Sequence, residues 1–523
     1  MSDSEARSEE AEAADDPSKP AMVVQHRGLL TAGLMLATVM QVLDTTIANV
    51  ALPHMAASLN AAQSEITWVL TSYIVAAAIA TPLTGWFADQ LGQKRLFLIS
   101  IAGFTLVSML CGLATGLTEM VAFRILQGLF GAMIVPLAQT VLLEINPREK
   151  IGQAMAIYGA GIMIGPIIGP TLGGYLTETF NWRYVFFVNL PVGGLAFGMV
   201  FVFMHNTELR RRAFDFFGFG MLALSIGALQ LLLDRGQSIG WFSSSEAWLE
   251  LGLTVSGFWI FVVHSLTAKQ PFVDLRMFKD RNLTMGLLFI FIIGLTLFSG
   301  LALLPPLLQN LMGYPVIETG LVMAPRGVGT LLSMIVVGRL VGRFDARLLV
   351  LVGIGLTAYS LYLMTGFSLQ MGAMPVIVSG VIQGFGLGFV FVPLSTLTFA
   401  TIEGRYRTDA TSFFSLVRNI GSGVGISLVS LVLSNMIQVN HSELGAHLTA
   451  TSPMVQAQAP QLLSGNPTIL AVIDGLVSQQ SAMIAYLDDF KLMMFVSLMA
   501  TPIVLLLRGG KSKKGGGMAA MGE

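Results

Sequence analysis

Apolar residues in this chain come in runs of about twenty, separated by short polar stretches. Fourteen runs can be drawn: 29–51, 66–86, 96–115, 120–142, 153–175, 184–204, 214–233, 248–267, 283–304, 319–341, 347–366, 374–398, 411–435 and 491–507. Roughly twenty helical residues cross ~30 Å of hydrocarbon, and a helix satisfies its own backbone in lipid. The pattern predicts an all-α polytopic membrane protein.

Composition agrees. Of 523 residues only 11% are charged, and mean hydropathy is +0.73. A soluble surface usually needs about 25%. Basic and acidic residues balance to a net charge of -1, which excludes a nucleic-acid partner. The single cysteine, Cys111, lies in an apolar run, so neither a disulfide framework nor a Cys-based metal site is expected. A cleavable leader is not expected either, because the start of the chain is acidic and its first apolar run is too long.

Lys and Arg give the orientation. With the N-terminus inside, 23 of the 29 basic residues fall in inside segments, and the outside loops hold only Arg183 and Arg235. Both termini are therefore expected on the inside. The longest outside segment, 437–489, contains no Lys or Arg, and its second half, from Pro467, has helical potential.

A weak internal repeat shapes the expected domains. Ile125-Leu126-Gln127-Gly128 is matched 256 residues later by Val381-Ile382-Gln383-Gly384, each followed by a proline, Pro136 and Pro393. That offset is about eight spans, so a six-span repeat with two inserted spans fits, as in many secondary transporters. The expected organisation is a disordered acidic tail (1–28), a six-helix bundle (29–204) and a linker with two extra helices (205–270). A second six-helix bundle (271–508) containing the outside loop 437–489 follows, then a basic Gly-rich tail (509–523).

Two glycine-rich motifs stand out. Gly85-Trp86-Phe87-Ala88-Asp89-Gln90-Leu91-Gly92-Gln93-Lys94-Arg95 suits a tight inside turn, in which Asp89 either caps the next helix or pairs with a moving cation. The stretch from Gly159 to Gly174 carries Gly165, Pro166, Gly169, Pro170 and Gly173, residues that allow close helix contact and bending. A phosphate loop would need a preceding strand and a lysine, and neither is present there.

These motifs, together with Leu43-Asp44-Thr45-Thr46-Ile47-Ala48-Asn49-Val50-Ala51-Leu52-Pro53, resemble the major facilitator superfamily, and within it the fourteen-helix drug:proton antiporters. Asn181-Trp182-Arg183-Tyr184-Val185-Phe186-Phe187-Val188-Asn189-Leu190-Pro191 matches the segment leading into their sixth helix. Leu233-Asp234-Arg235-Gly236 and the following Trp241-Phe242-Ser243-Ser244 resemble the EmrB-like branch. Gln93 departs from the family's usual basic residue. The resemblance implies two six-helix bundles rocking about a central cavity, with the Gly-Pro motif as a mark of exporters. It also implies a periplasmic membrane-fusion adaptor and an outer-membrane channel as partners.

Charges inside spans are costly in lipid and usually functional. Asp44 and Arg124 lie at similar depth, roughly 10 and 7 Å from the outer end at ~1.5 Å per residue. In the resembled fold their helices line the cavity, so the two are expected to communicate as the proton-coupling pair. Arg326 and Arg418 are the further candidates, for a substrate cavity. Gly85, Asp89, Gly92, Arg95, Gly159, Gly165, Pro166, Gly169, Pro170, Gly173 and Gly174 form the conformational motifs. No catalytic residue, metal site or cofactor is expected, the proton gradient being the energy source. The expectation is an inner-membrane exporter of hydrophobic small molecules. Three arginines against one aspartate favour lipophilic weak acids or neutral compounds. Alternatives are an importer of the same superfamily, which the Gly-Pro motif disfavours, and a polytopic membrane enzyme, for which no interfacial acid or His cluster is evident.

Overall fold

Proline sets where these helices bend, because its ring crowds the carbonyl four residues earlier and removes a bond to it. In the computed structural model, which describes residues 22, 24–62, 65–207, 209–210, 212–448 and 467–507, three long helices break next to or shortly before a proline. Two pieces, Trp68–Ala80 and Leu83–Leu91, meet at 60° beside Pro82 and together form α2. The span Leu117–Ile145 (α4) is interrupted at Ala132 and Met133, ahead of Pro136. Ile151–Thr179 (α5) is interrupted at Met163, ahead of Pro166.

The remaining spans are α1 (Arg27–Ser58), α3 (Gln93–Leu113), α6 (Tyr184–Phe203), α7 (Phe216–Arg235), α8 (Ser245–Thr267) and α9 (Arg281–Leu311). They continue with α10 (Val316–Leu340), α11 (Ala346–Met364), α12 (Met374–Phe399), α13 (Arg407–His447) and α14 (Pro467–Leu506). With the bent pair counted as one, fourteen helices among the described residues are long and apolar enough to span, and no strand occurs among them. The molecule is an all-α polytopic membrane protein.

The packing has a two-fold logic. In the first set α1 packs on α5 and α6, and α3 and α2 each pack on α4. In the second, α9 packs on α13 and α14, and α11 and α10 each pack on α12. The glycines of the repeat explain this correspondence. A side chain at Gly128 would run into the backbone of α2 at Tyr73, and one at Gly384 into the backbone of α10 at Arg326. Two symmetric seams join the sets, α5 against α10 and α2 against α13. Of the inserted helices, α7 packs on α2 and α13, while α8 packs on α7 and turns Trp248, Phe258 and Trp259 outward.

One expectation needs correction. The segment 437–489, expected as an outside loop with helical potential only from Pro467, is helix at both of its described ends: α13 is 41 residues long, about 60 Å, twice the hydrocarbon thickness. From Pro467, α14 runs without an unstructured stretch to Leu506. The two form a hairpin tied by Asn440 Nδ2 to Ser481 O (3.4 Å) and His441 Nε2 to Asp474 Oδ1 (3.0 Å). Polar residues from Gln438 to Glu443 leave a helix free to continue in water but hide it from a hydropathy count. Residues 449–466, between the two helices, and the tails, apart from 22 and 24–28, lie outside the described residues.

Candidate functional site

Five helices of the first set converge on Asp44. Arg124 of α4 donates from Nη1 to Asp44 Oδ2 at 2.7 Å, and both side chains are fully buried. The opposite oxygen, Oδ1, accepts from Gln127 Nε2 (2.9 Å) and from Asn189 Nδ2 of α6 (2.7 Å). Arg124 is fixed in turn: Nε donates to the Val69 carbonyl of α2 (2.9 Å), Nη1 also reaches Gln127 Oε1 (2.7 Å), and the guanidinium lies 4.4 Å from the Tyr73 ring centre. Asn189 also donates to Ser108 Oγ of α3 (2.9 Å), which donates to the Phe186 carbonyl (3.0 Å). Every group facing Asp44 is a donor, so the pocket is shaped for a carboxylate; a carboxylic O–H would meet N–H groups. A buried ion pair repays its desolvation only with such supporting hydrogen bonds; Arg124 Nη2 is the one nitrogen of the pair that meets no partner among the described residues.

Behind Asp44, the glycines of α5 bear on α1. A Cβ at Gly165 would stand 2.9 Å from Val42 Cγ1 and 3.3 Å from the backbone nitrogen of Leu43. A Cβ at Gly169 would overlap Thr46 Oγ1, and one at Gly173 would lie 3.2 Å from Ile47 Cα. The stripe therefore grips α1 on both sides of Asp44, while Gly159 instead meets Met334 of α10 across the seam. Pro166 and Pro170 weaken the backbone ladder of the same helix. Gly174 has no neighbour within 4 Å of a Cβ, so the contact expected there is absent.

The second motif lies at the opposite end of α2. Gly85 leaves room for Asp409 of α13, whose carboxylate would overlap a Cβ at that position. Arg212, just before α7, bridges the seam: its guanidinium is 3.8 Å from Asp89 Oδ2 and 3.3 Å from Asp409 Oδ2. Of the two roles open to Asp89, pairing with a cation is the one seen. Gly92 has φ +82°, in the region that penalises side chains. Gln93 donates from Nε2 to Glu144 Oε1 (3.1 Å) in place of the family's cation. Arg95 is exposed and stands apart from this cluster. On the same face Thr140 and Thr411 meet at 2.7 Å, and a cavity of about 320 Å³ opens between the segments before α7 and α13.

The two remaining arginines part company. Arg418 of α13 lies near Tyr158 of α5 at the seam, and Tyr158 meets Thr38 of α1 at 3.1 Å. Arg326, expected at a cavity, is instead buried among α9, α10 and α12: a Cβ at Gly380 would lie 3.4 Å from its own Cβ, and one at Gly300 3.9 Å from Nη1. Small residues at 300 and 380 open a space inside the bundle that one long side chain fills.

Sequence reasoning did not assign Gln127, Asn189 and Ser108 to the site. Gln127 served only as a repeat marker and Asn189 only as part of a family segment. Their polarity at mid-span was the available signal. Asp489 was placed outside the fourteenth span, yet it is fully buried in α14.

Comparisons with known proteins agree with this architecture. The family model described as Major Facilitator Superfamily matches residues 34–426. The fatty acid resistance protein FarB of Neisseria gonorrhoeae is 35% identical over 495 residues, covering 93% of this chain and 97% of FarB. The multidrug export protein EmrB of Escherichia coli (strain K12) is 35% identical over 441 residues, 83% of this chain and 85% of EmrB. Among solved structures, the human organic anion transporter MFSD10 superposes with a TM-score of 0.57 at 14% identity, covering 90% of this chain and 99% of that one. The proton:xylose symporter XylE superposes with a TM-score of 0.56 at 14% identity, covering 91% and 94%. At that identity the likeness speaks to the fold.

Proposed function

The chain belongs to the Major Facilitator Superfamily, and on that premise we propose that it is a proton-coupled multidrug exporter working by alternating access. It is a secondary transporter, not an enzyme. The observation that carries the coupling mechanism is the buried Asp44–Arg124 pair with its complete donor shell, braced by the α5 glycines. Asp44 carries the proton. Rocking slides α1 on the α5 stripe, draws the carboxylate from Arg124, and wets it so that it takes up a proton; closure returns it to the pair and releases the proton on the other side. Rocking also requires the bridge of Arg212 to Asp89 and Asp409 to part. Such a cycle needs no cofactor, only a proton gradient.

The basic face would be cytoplasmic, with both termini there, and the membrane would be the bacterial inner membrane. The α13–α14 hairpin then projects to the opposite side. With apolar Leu470, Val472 and Leu476 exposed, it is the surface we assign to a periplasmic adaptor that leads to an outer-membrane channel. A cut between α13 and α14 that shortens both helices tests this docking.

We assign lipophilic weak acids and neutral compounds as substrates. Arg418 at the seam offers an anion its countercharge, and a relative is named for fatty acid resistance. In proteoliposomes an imposed pH gradient should drive an acidic aromatic antibiotic uphill against the proton flow, whereas an importer would run with it. Strong export of a quaternary cation with no effect on the anion would contradict the substrate reading. Product formation without net flux would contradict transport altogether.

A further inference from the structure

The second bundle repeats the frame of the first but not its chemistry. At 256 residues from Asp44 and Arg124 stand Gly300 and Gly380, so the ion pair has no counterpart at those positions. The repeated glutamine, Gln383, is buried, and neither its oxygen nor its nitrogen meets a hydrogen-bond partner among the described residues. The acid of this bundle comes from another helix. α14 packs on α9 and α11 as α6 packs on α1 and α3, and it presents Asp489 inward with no exposed surface.

Neither carboxyl oxygen of Asp489 has a hydrogen-bond partner among the described residues. Electrostatically it feels Asp488 and Tyr486, both on its own helix, and Asp488 is itself held by Lys491 at 3.3 Å. The helices packed against α14 hold their cations elsewhere. Arg281 begins α9 and Arg347 begins α11, both at the basic end, Arg418 of α13 lies near Tyr158 at the seam, and Arg326 of α10, which reaches the Gly300 gap beside Gln383, makes no hydrogen bond to Asp489. Around this part of α14 stand Leu303, Leu361, Val429, Phe490 and Met493. Met493, one turn from Asp489, reaches the position of a Cβ on Gly300, at 3.4 Å, beside Gln383.

An ionised carboxylate among such neighbours, without a partner, costs far more than folding can supply. A cation bound to the carboxylate removes that cost. A metal ion needs several oxygen ligands, and no group of three or more His, Cys, Asp or Glu is gathered anywhere among the described residues. A proton needs only one carboxyl oxygen, where it forms an O–H bond after leaving hydronium as water. We propose that Asp489 is a second proton-binding carboxyl, in the second bundle, occupied in the conformation in which Asp44 is ionised and paired with Arg124. The transport consequence rests on the proton-coupled reading given above; the binding itself does not.

The test is infrared spectroscopy of the full chain in lipid nanodiscs, following the carboxylic C=O stretch as pH is stepped across neutrality. Wild type should show a protonated-carboxyl band that Asp489→Asn removes and Asp44→Asn retains; Asp489→Ser provides a second variant should the first misfold. An unchanged band in a folded Asp489 variant overturns the proposal. So does a band that appears only when tetraphenylphosphonium, used as a probe cation, is washed out, because the occupant would then be an organic cation. If Asp44→Asn exports normally while the band behaves as stated, the Asp44 assignment fails and Asp489 stands.

Discussion

Gly165→Leu and Gly174→Leu form a matched pair that tests the α5 brace. Both glycines lie in α5, nine residues apart. A Cβ at 165 would stand 2.9 Å from Val42 Cγ1, 3.2 Å from Val42 Cβ and 3.3 Å from Leu43 N, whereas one at 174 meets nothing within 4 Å. Val42 can rotate a methyl away, but the Leu43 nitrogen moves only if α1 moves, and Asp44 moves with it. Overpacking costs about 1–3 kcal/mol, and replacing a helix glycine by alanine returns about 1 kcal/mol. Gly165→Ala should therefore lose at most about 2 kcal/mol, while Gly165→Leu, with three further carbons to place, should approach or pass about 3 kcal/mol. Gly174→Leu should be neutral or gain a few tenths. Thermal unfolding of the purified proteins in one detergent, read beside export rate, checks this. If Gly165→Leu melts with Gly174→Leu and exports at the wild-type rate, α5 does not brace α1.

The other predictions are as follows. Arg124→Ala leaves a buried carboxylate without its partner and should cost about 3–5 kcal/mol, seen as a marked loss of folded protein and of melting temperature. Gly92→Ala forces a side chain into a positive-φ, extended backbone (φ 82°, ψ 147°) that is essentially reserved for glycine and should cost about 1–3 kcal/mol on the same assay. Asp215 caps α7 and is held below the ordinary Asp value: burial opposes this, but the N–H groups of Gly218 and Phe272 and the His264 ring outweigh it. Because the folded form holds the proton more weakly, its stabilisation is present above the unfolded Asp value of about 3.9 and is lost as pH falls below it. The melting temperatures of wild type and Asp215→Asn should differ at neutral pH and converge below about pH 4.

Helix positions were legible because lipid demands long apolar runs, and the Asp44–Arg124 contact was legible from their similar depth together with the family resemblance, which puts both helices at the cavity. What escaped depends on tertiary placement. Arg212 reaches two acids 123 positions before and 197 positions after it, a distance no local pattern reports. The same holds for Asn189, whose amide joins Asp44 to α3 only once α6 has packed. Asp489 escaped for a different reason: two aspartates and a lysine within four residues end a hydropathy window, yet one of the three faces inward while the other two pair with each other. Arg326 shows the converse, since counting along its span did not reveal which way it faces.

The central claim is that the Asp44 carboxyl carries the coupled proton. Its most direct test is uphill export by Asp44→Asn in proteoliposomes with an imposed pH gradient, measured beside gradient-free exchange of labelled for unlabelled substrate. Asparagine keeps the size of the side chain but cannot release a proton. The account predicts that uphill export stops while exchange continues, because rocking and substrate binding survive. Uphill export by Asp44→Asn at the wild-type rate would contradict it.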